Sequence, residues 1–163
     1  MKKTKILLLI LTVLLISSTF LSCSNKQKIH FKETDAKVTF KTDTSLTITN
    51  DYSDESKYII TIRNEDVTIY GAITISKEDS KKSVSELTSK YLPMHADNIT
   101  EKLISDELLF IDISAESSEG QLINGYNFMY YDADKDTIVC GRFSASTDHR
   151  DTLLSIAKSI KIK

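Results

Sequence analysis

The chain has 163 residues, of which 40% are hydrophobic and 27% charged, a balance typical of one folded domain rather than of a disordered chain. Its net charge is −2, and without the three lysines of residues 1–22 it has 18 basic and 23 acidic side chains, a net charge of −5. This balance argues against nucleic acid as a partner and against electrostatic adhesion to an anionic leaflet. Of the two cysteines, Cys23 precedes the domain and Cys140 lies within it, so a modified Cys23 leaves no internal disulfide.

The first element in chain order is a leader over residues 1–22. Three lysines precede an uncharged run over residues 6–16, which is shorter than the ~20 residues that span a bilayer as a helix. The leader ends in Phe-Leu-Ser before Cys23, which resembles the lipobox of bacterial lipoproteins. The resemblance implies cleavage between Ser22 and Cys23 and a diacylglyceryl group on the Cys23 thiol, whose two chains anchor a protein stably.

The mature chain is predicted to begin with a tether and to continue as one domain. Residues 23–36 are polar after the lipidated cysteine, and residues 37–163 carry the strand and helix patterns. Apolar and polar side chains alternate over residues 38–48. This alternation predicts two short strands around a turn at residues 42–45.

Two further groups of strands are predicted. Residues 58–63 and 67–75 alternate β-branched apolar side chains with polar ones on either side of a polar turn, as half-buried antiparallel strands do. After a helical region the same alternation returns over residues 109–115, 122–131 and 137–146. These three strands are predicted to complete the sheet.

Helical periodicity appears at three places. Ser83 followed by Glu86 forms a capping box, and Pro93 ends the helix that this box begins. A second helix is predicted over residues 97–104. A last helix, capped by Thr147, has one apolar stripe made of Leu153, Ile156, Ala157 and Ile160. Strands and helices that are segregated along the chain predict an α+β fold, an antiparallel sheet with helices packed on one side.

The order of elements and the last helix carry a resemblance to a known family. A β meander followed by a closing helix, with the pair Ser159 and Ile160 near its end, is similar to the PsbP-like or DcrB-like α/β/α sandwich family. The resemblance covers residues 37–163 and implies a non-enzymatic accessory or binding module. Members of this family commonly carry a proline and a tryptophan near the first strands, and this chain has neither there.

Tyr126, Phe128, Tyr130 and Tyr131 form the main concentration of aromatic side chains. Because they lie in a predicted strand, the simplest interpretation places them in the core. The alternative is a ligand groove or a partner face, where tyrosine supplies both area and a hydrogen bond. Asn-Gly at positions 124–125 is a candidate bulge that re-aims this strand.

No metal site and no catalytic set is predicted. Residues 132–136 (DADKD) have the alternating carboxylates of a calcium loop, but threonine and phenylalanine occupy its sixth and twelfth positions, so a hairpin turn is the better interpretation. Cys140 is interpreted as a packed thiol, with a reactive thiol as the alternative. No serine lies in a G-x-S-x-G elbow. The histidines are assigned to the surface: His30, His95 and His149.

The sequence therefore predicts a bacterial envelope lipoprotein, exported and anchored to the cell membrane, or to the outer membrane if the cell has two. The domain is predicted to be monomeric, to need no cofactor, to be no enzyme and to bind no nucleic acid. Its predicted role is to bind or assist an unknown protein partner in the envelope. The alternative is a carrier that holds a small molecule or a lipid in a cavity between the sheet and the helices.

Overall fold

Ten strands and two helices make up the part of the chain that the computed structural model describes, residues 24–54, 56–92, 98–116 and 122–163. The strands are β1 (Ser24–Phe31), β2 (Ala36–Asp43), β3 (Leu46–Ser53), β4 (Lys57–Asn64), β5 (Ile69–Lys77), β6 (Asn98–Ser105), β7 (Leu108–Glu116), β8 (Leu122–Asp132), β9 (Thr137–Ala145) and β10 (Lys161–Ile162). The helices are α1 (Thr88–Tyr91) and α2 (Arg150–Lys158).

The strands form two antiparallel sheets. The large sheet has seven strands in the order β3-β4-β5-β9-β8-β7-β6, and the small sheet has three in the order β1-β2-β10. The predicted α+β fold with an antiparallel sheet is therefore confirmed, although strands dominate it. The predicted hairpin corresponds to β4 and β5, which pair antiparallel, and the three later strands correspond to β7, β8 and β9.

The first core lies between the large sheet, the small sheet and α2. Because successive side chains of a strand point to opposite faces, every second residue of β5 enters this core, among them Ile69, Ile73 and Ile75. The small sheet closes the core with Ile29, Phe31, Val38 and Phe40. The predicted stripe of the last helix is confirmed, because all four of its members are buried here: Leu153, Ile156, Ala157 and Ile160.

A second core lies on the opposite face of the large sheet, under residues 78–92, which we call the cover segment. Its Val84 and Leu87 pack against side chains of β7, β8 and β9. The predicted capping box is confirmed, since the Ser83 N–H donates to Glu86 Oε2 at 2.9 Å and the Glu86 N–H donates to Ser83 Oγ at 3.4 Å. The box begins a run of turns that ends in the four-residue helix α1.

The predicted tether over residues 23–36 is wrong in its main part. Ser24–Phe31 instead forms β1, which pairs with β2 along its whole length. The pattern did not reveal the strand because β1 is an edge strand with a polar outer face, and its buried apolar residues are just two, Ile29 and Phe31, among those of known burial. Both cores are formed by residues from Ile29 onward, so a fragment of residues 24–163 keeps every side chain of both.

The second predicted helix, over residues 97–104, is also wrong. Asn98–Ser105 forms β6, an edge strand of the large sheet that pairs with β7. Ile99 and Leu103 are four residues apart, a spacing that fits one face of a helix and one face of a strand equally well. Pairing with β7 decides between the two structures.

Four smaller features differ from the predictions. The two helices lie on opposite faces of the large sheet rather than on one side. The last helix begins at Arg150 without a cap from Thr147, and Asp148 Oδ1 instead accepts the Arg150 N–H at 3.0 Å. β8 pairs with both neighbours without a register shift, so it has no bulge at residues 124–125. Val67, which the predicted strand over residues 67–75 includes, instead lies in the turn before β5 and has a φ of 53°.

Candidate functional site

The candidate site is the uncovered part of the large-sheet face opposite α2, which we call the open face. Six large apolar side chains of the described residues are between 37% and 55% exposed. Five of them lie on this face, as the strand pairings place them: Tyr52, Tyr70, Ile99, Leu103 and Ile123. Isolated apolar side chains on a surface, such as Tyr52 and Leu103 on the two edge strands, are ordinary. Apolar side chains that line one depression, as Tyr70 and Ile123 do, are typical of an interaction site.

A trough runs along the open face across β5, β9 and β8. Its wider part has a volume of about 500 Å³, and its lining includes Tyr70 and Ile123. A narrower part of about 200 Å³ continues from it, because Ala72 and Arg142 line both. The small side chain of Ala72 and the absence of one at Gly125 keep the floor low. The trough is therefore open to a segment that inserts apolar side chains.

Three cationic side chains lie on the same face. Lys57 and Arg63 are on β4 and Arg142 is on β9, and all three are exposed. Arg63 lies directly opposite Tyr70 in the β4–β5 ladder. Arg142 donates a hydrogen bond to the carbonyl of Tyr91 and so joins the cover segment to β9. The trough thus combines an apolar floor with positive charge, although the net charge of the chain is −2.

The cover segment is held beside the trough by a buried carboxylate. Glu78 is 2% exposed, and it accepts hydrogen bonds from Lys90 Nζ at 2.6 Å and from the Ser80 N–H at 2.9 Å. Burial on its own raises the pKa of Glu78, but the hydrogen bonds from Lys90 and Ser80 outweigh it, and the pKa falls to about 2. Glu78 is therefore ionised and paired at neutral pH.

Cys140 is a packed thiol, as predicted. It is buried in the second core, on the side of β9 opposite Val139 and Phe143. Burial raises the pKa of its thiol to about 12, so the thiol is protonated at neutral pH and is a poor nucleophile. The geometry lends no support to the alternative of a reactive thiol.

The four aromatic residues that stand out in the sequence lie in the two cores. Tyr126 and Phe128 are buried in the first core, Tyr130 packs at its margin, and Tyr131 is buried in the second. The apolar area that a partner can reach comes from other positions of the sheet. These positions alternate with core positions, but only the strand order shows that they form one surface.

The turn at residues 132–136 is a hairpin between β8 and β9, as predicted. Asp132 Oδ1 accepts two backbone N–H groups within the turn, and Asp136 accepts a hydrogen bond from Lys81. The carboxylates of Asp132 and Asp136 are thus engaged in hydrogen bonds within the protein. Among the residues described, no group of three or more His, Cys, Asp or Glu side chains converges on a metal position.

Two histidines belong to the described residues, and they lie apart. His30 is exposed and contacts Asp35 at 2.7 Å, beside a second depression of about 540 Å³ between the small sheet and the β3–β4 hairpin. His149 is half-buried and lies 3.2 Å from the Thr68 hydroxyl. His95 lies outside the described residues. The predicted surface position is therefore met by His30 and only partly by His149.

The Tyr131 hydroxyl is buried without a hydrogen-bond partner in the described part of the chain. A buried unpaired hydroxyl costs about 1–3 kcal/mol. Tyr131→Phe is therefore expected to raise the free energy of unfolding of the 24–163 fragment, measured by urea denaturation, by about 1 kcal/mol. Tyr126→Phe is the matched control, because its hydroxyl donates to Asp148 at 3.1 Å, and it should lose stability. Equal losses in the two variants would contradict the assignment.

A seven-stranded antiparallel sheet, with a small sheet and a helix on one face and an open trough on the other, defines the class of this fold. The crystal structure of the Ran-binding protein Mog1p of Saccharomyces cerevisiae is similar to the structure of this chain. The TM-score is 0.51, and the identity is 10% over 85% of this chain and 95% of that chain. A point mutant of Mog1 gives a TM-score of 0.51 and 10% identity over 84% and 95% of the two chains. No protein-family model and no curated protein matches the sequence. The likeness concerns the fold alone.

The predicted cleavage and lipidation site, Ser22 and Cys23, lies outside the described residues, so the lipoprotein prediction stays a prediction. The resemblance to the PsbP-like family also stays a prediction. No helix of the described residues is long and apolar enough to cross a membrane.

Proposed function

We propose that the protein is an exported bacterial lipoprotein whose single domain, held at a membrane by lipid chains on Cys23, binds a protein partner through the open face. The observation that carries the binding function is the trough, which is open to solvent and lined by the exposed apolar side chains of Tyr70 and Ile123. The basic and apolar leader and the lipobox-like residues before Cys23 support the anchor. The domain acts as an accessory module without catalysis.

The proposed anchor and the proposed binding face belong to opposite sides of the domain. Cys23 directly precedes β1 in the sequence, and β1 belongs to the small sheet. The small sheet packs on the face of the large sheet opposite the open face. A domain anchored at Cys23 therefore turns its open face away from the bilayer, where a partner can reach it.

The chemistry of the trough favours a partner segment that is apolar at its centre and acidic at its margin. Tyr70 and Ile123 offer apolar area, and the Tyr70 hydroxyl adds a polar group. Lys57, Arg63 and Arg142 attract carboxylates and repel a second copy of the same face, in keeping with the predicted monomer. Mog1p, which shares the fold, is a Ran-binding protein, and this analogy of fold supports a protein partner.

Metabolic labelling of the full chain with palmitate tests the anchor. We expect label in the natural protein, and we expect Cys23→Ala to lose the label and to be released from the membrane fraction by high salt. Cys140→Ala is the matched control and should keep the label, because the Cys140 thiol is buried in the second core. Label on the Cys23→Ala protein, or its unchanged retention on membranes at high salt, would speak against the anchor.

Site-specific photocrosslinking in intact cells tests the binding face. A photoreactive side chain at Tyr70 is expected to give an adduct with one protein of constant mass, and Arg63→Glu is expected to abolish it by reversing a neighbouring charge. Lys82→Glu, on the cover segment, is the matched control and should leave the adduct intact. The same group at Asp151, exposed on α2, should give none. An adduct with a second copy of this chain, or one insensitive to Arg63→Glu, would refute the proposal.

A carrier of a small molecule or lipid is the second candidate, because a trough of about 500 Å³ has the size of a ligand site. The sequence placed such a cavity between sheet and helices, where α2 instead buries Leu153 and Ile156. Native mass spectrometry of the freshly isolated 24–163 fragment tests this candidate. An adduct of constant mass that Tyr70→Ser removes would favour the carrier, and an unmodified mass would count against it.

A further inference from the structure

The outer face of the small sheet has an unusual concentration of positive charge. Four inner side chains point into the first core: Ile29, Phe31, Val38 and Phe40. The alternate positions point outward, and five of them are exposed lysines that we call the lysine face: Lys26, Lys28, Lys37, Lys41 and Lys161. The only acidic residue in the three strands is Asp43, at the end of β2.

Stability of the domain does not account for this arrangement. Lys26 lies directly opposite Lys41, and like charges directly opposite each other destabilise an antiparallel pair. Edge strands often carry lysines that prevent pairing with other chains, which would explain those of β1 and β10. Protection of an edge does not explain Lys37 and Lys41, because β2 is the central strand of the small sheet. An anionic partner would offset the repulsion among these side chains.

We infer that the lysine face lies on an anionic membrane surface, with its ammonium groups among the phosphates of lipid head groups. The inference deepens the proposed function and rests on it for the nearby membrane, since β1 directly follows the proposed lipid-bearing Cys23. A sheet presents its lysines as a broad array, which suits a bilayer surface. The two acyl chains already anchor the protein stably, and the polybasic face adds electrostatic attraction to anionic lipids.

The net charge of the mature chain does not oppose this contact. Its excess of acidic side chains lies outside the three strands of the small sheet. At an ionic strength of 0.1 M, charges more than about 10 Å from the contact are largely screened. The membrane surface therefore interacts mainly with the lysine face and little with the acidic remainder. The same contact turns the open face toward the surrounding solution.

Co-sedimentation of the 24–163 fragment with lipid vesicles tests the inference, and its result is independent of lipidation because the fragment lacks Cys23. We expect binding to vesicles in which a third of the lipid is phosphatidylglycerol, weaker binding at high salt, and little binding to phosphatidylcholine alone. A triple change, Lys28→Gln with Lys41→Gln and Lys161→Gln, should lower the partition coefficient roughly 100-fold, at about fivefold for each lysine.

The matched control removes the same charge elsewhere, by Lys82→Gln with Lys102→Gln and Lys135→Gln, three exposed lysines outside the small sheet. It should lower the partition coefficient by less than about threefold, and neither triple variant should melt at a lower temperature than the natural fragment. Equal loss of binding in the two variants, equal binding to neutral vesicles, or tighter binding to DNA than to anionic vesicles would overturn the inference. If the fragment binds vesicles but the full chain takes up no palmitate, the result supports membrane contact through the lysine face and contradicts the lipid anchor.

Discussion

The free energy of unfolding of the Gly141→Ala variant is expected to be about 3 kcal/mol lower than that of the natural protein. Gly141 lies directly opposite Phe128 in the β8–β9 ladder. A Cβ atom at Gly141 would lie 2.2 Å from Phe128 Cζ and 2.3 Å from Phe128 Cε1, well inside van der Waals contact. Phe128 is fully buried and stacks on Phe143 with ring centroids 6.1 Å apart, so its ring moves only if the core moves with it.

Urea denaturation of the 24–163 fragment measures this loss, and thermal melting should show a midpoint about 9 °C lower. Gly125→Ala is the matched control, because its added Cβ would lie 3.2 Å from Ile113 Cβ on the open face, and it should cost less than about 1 kcal/mol. Adding Phe128→Leu to Gly141→Ala should cost less than the sum of the two single changes, since leucine leaves room for the new methyl group. A Gly141→Ala loss no larger than that of the control would show that the ring is free to move.

Glu78→Gln is expected to lower the free energy of unfolding by about 2 kcal/mol at pH 7. The change removes the buried carboxylate that accepts from Lys90 Nζ at 2.6 Å. It retains an oxygen for the Ser80 N–H, so the loss reports mainly the ionic contact. Asp79→Asn is the matched control, because Asp79 is exposed and lies 3.9 Å from Lys77, and it should cost less than about 0.5 kcal/mol.

The effect of Glu78→Gln should depend on pH in a defined direction. The pKa of Glu78 is about 2 in the folded protein, against 4.5 for an ordinary glutamate. A lowered folded-state pKa contributes stability that is fully present above about pH 4.5 and is lost as the pH falls toward 2. The difference in unfolding free energy between natural protein and variant should therefore shrink over this range. A difference that stays constant from pH 7 to pH 3 would contradict the paired carboxylate.

Thiol labelling of Cys140 gives a second readout of the same contact. Cys140 is the one cysteine of the 24–163 fragment and lies in the second core beneath the cover segment. Its pKa of about 12 and its burial make labelling at pH 8 depend on opening of that segment. Glu78→Gln should raise the labelling rate about 30-fold if it weakens the segment by 2 kcal/mol. An unchanged labelling rate would show that Glu78 stabilises a part of the protein other than the cover segment.

Strands with strict alternation and the last helix could be predicted from the sequence because their patterns match only one structure. β5 and β8 alternate β-branched or aromatic side chains over many residues, and the stripe of α2 repeats at helical spacing. β1 and β6 could not be predicted in this way. Both are edge strands with a polar or exposed face, and their few apolar residues fit a tether or a helix as well as a strand.

The candidate site was less predictable than the fold. The aromatic residues around Phe128 were a candidate binding face in the sequence, yet their side chains belong to the cores. Tyr70, Ile99 and Ile123 are separated by up to 53 positions and come to lie on one face through the pairing of β5, β9, β8, β7 and β6. No local pattern contains this information, since alternation marks two faces of a strand without telling which one is covered.

The sequence by itself is the basis for the proposed lipid anchor. It also indicated the α+β class, the central strands and the absence of a recognisable catalytic motif. The sequence also determined the overall charge, which by itself gives no sign of a face that binds an anionic surface. Only the tertiary structure decided how apolar and charged side chains are distributed over the surface. It placed five lysines on one side of the small sheet and five exposed apolar side chains on the far side of the large sheet. The reason is that a sheet face is assembled from strands far apart in the chain, so its character depends on pairing and not on composition.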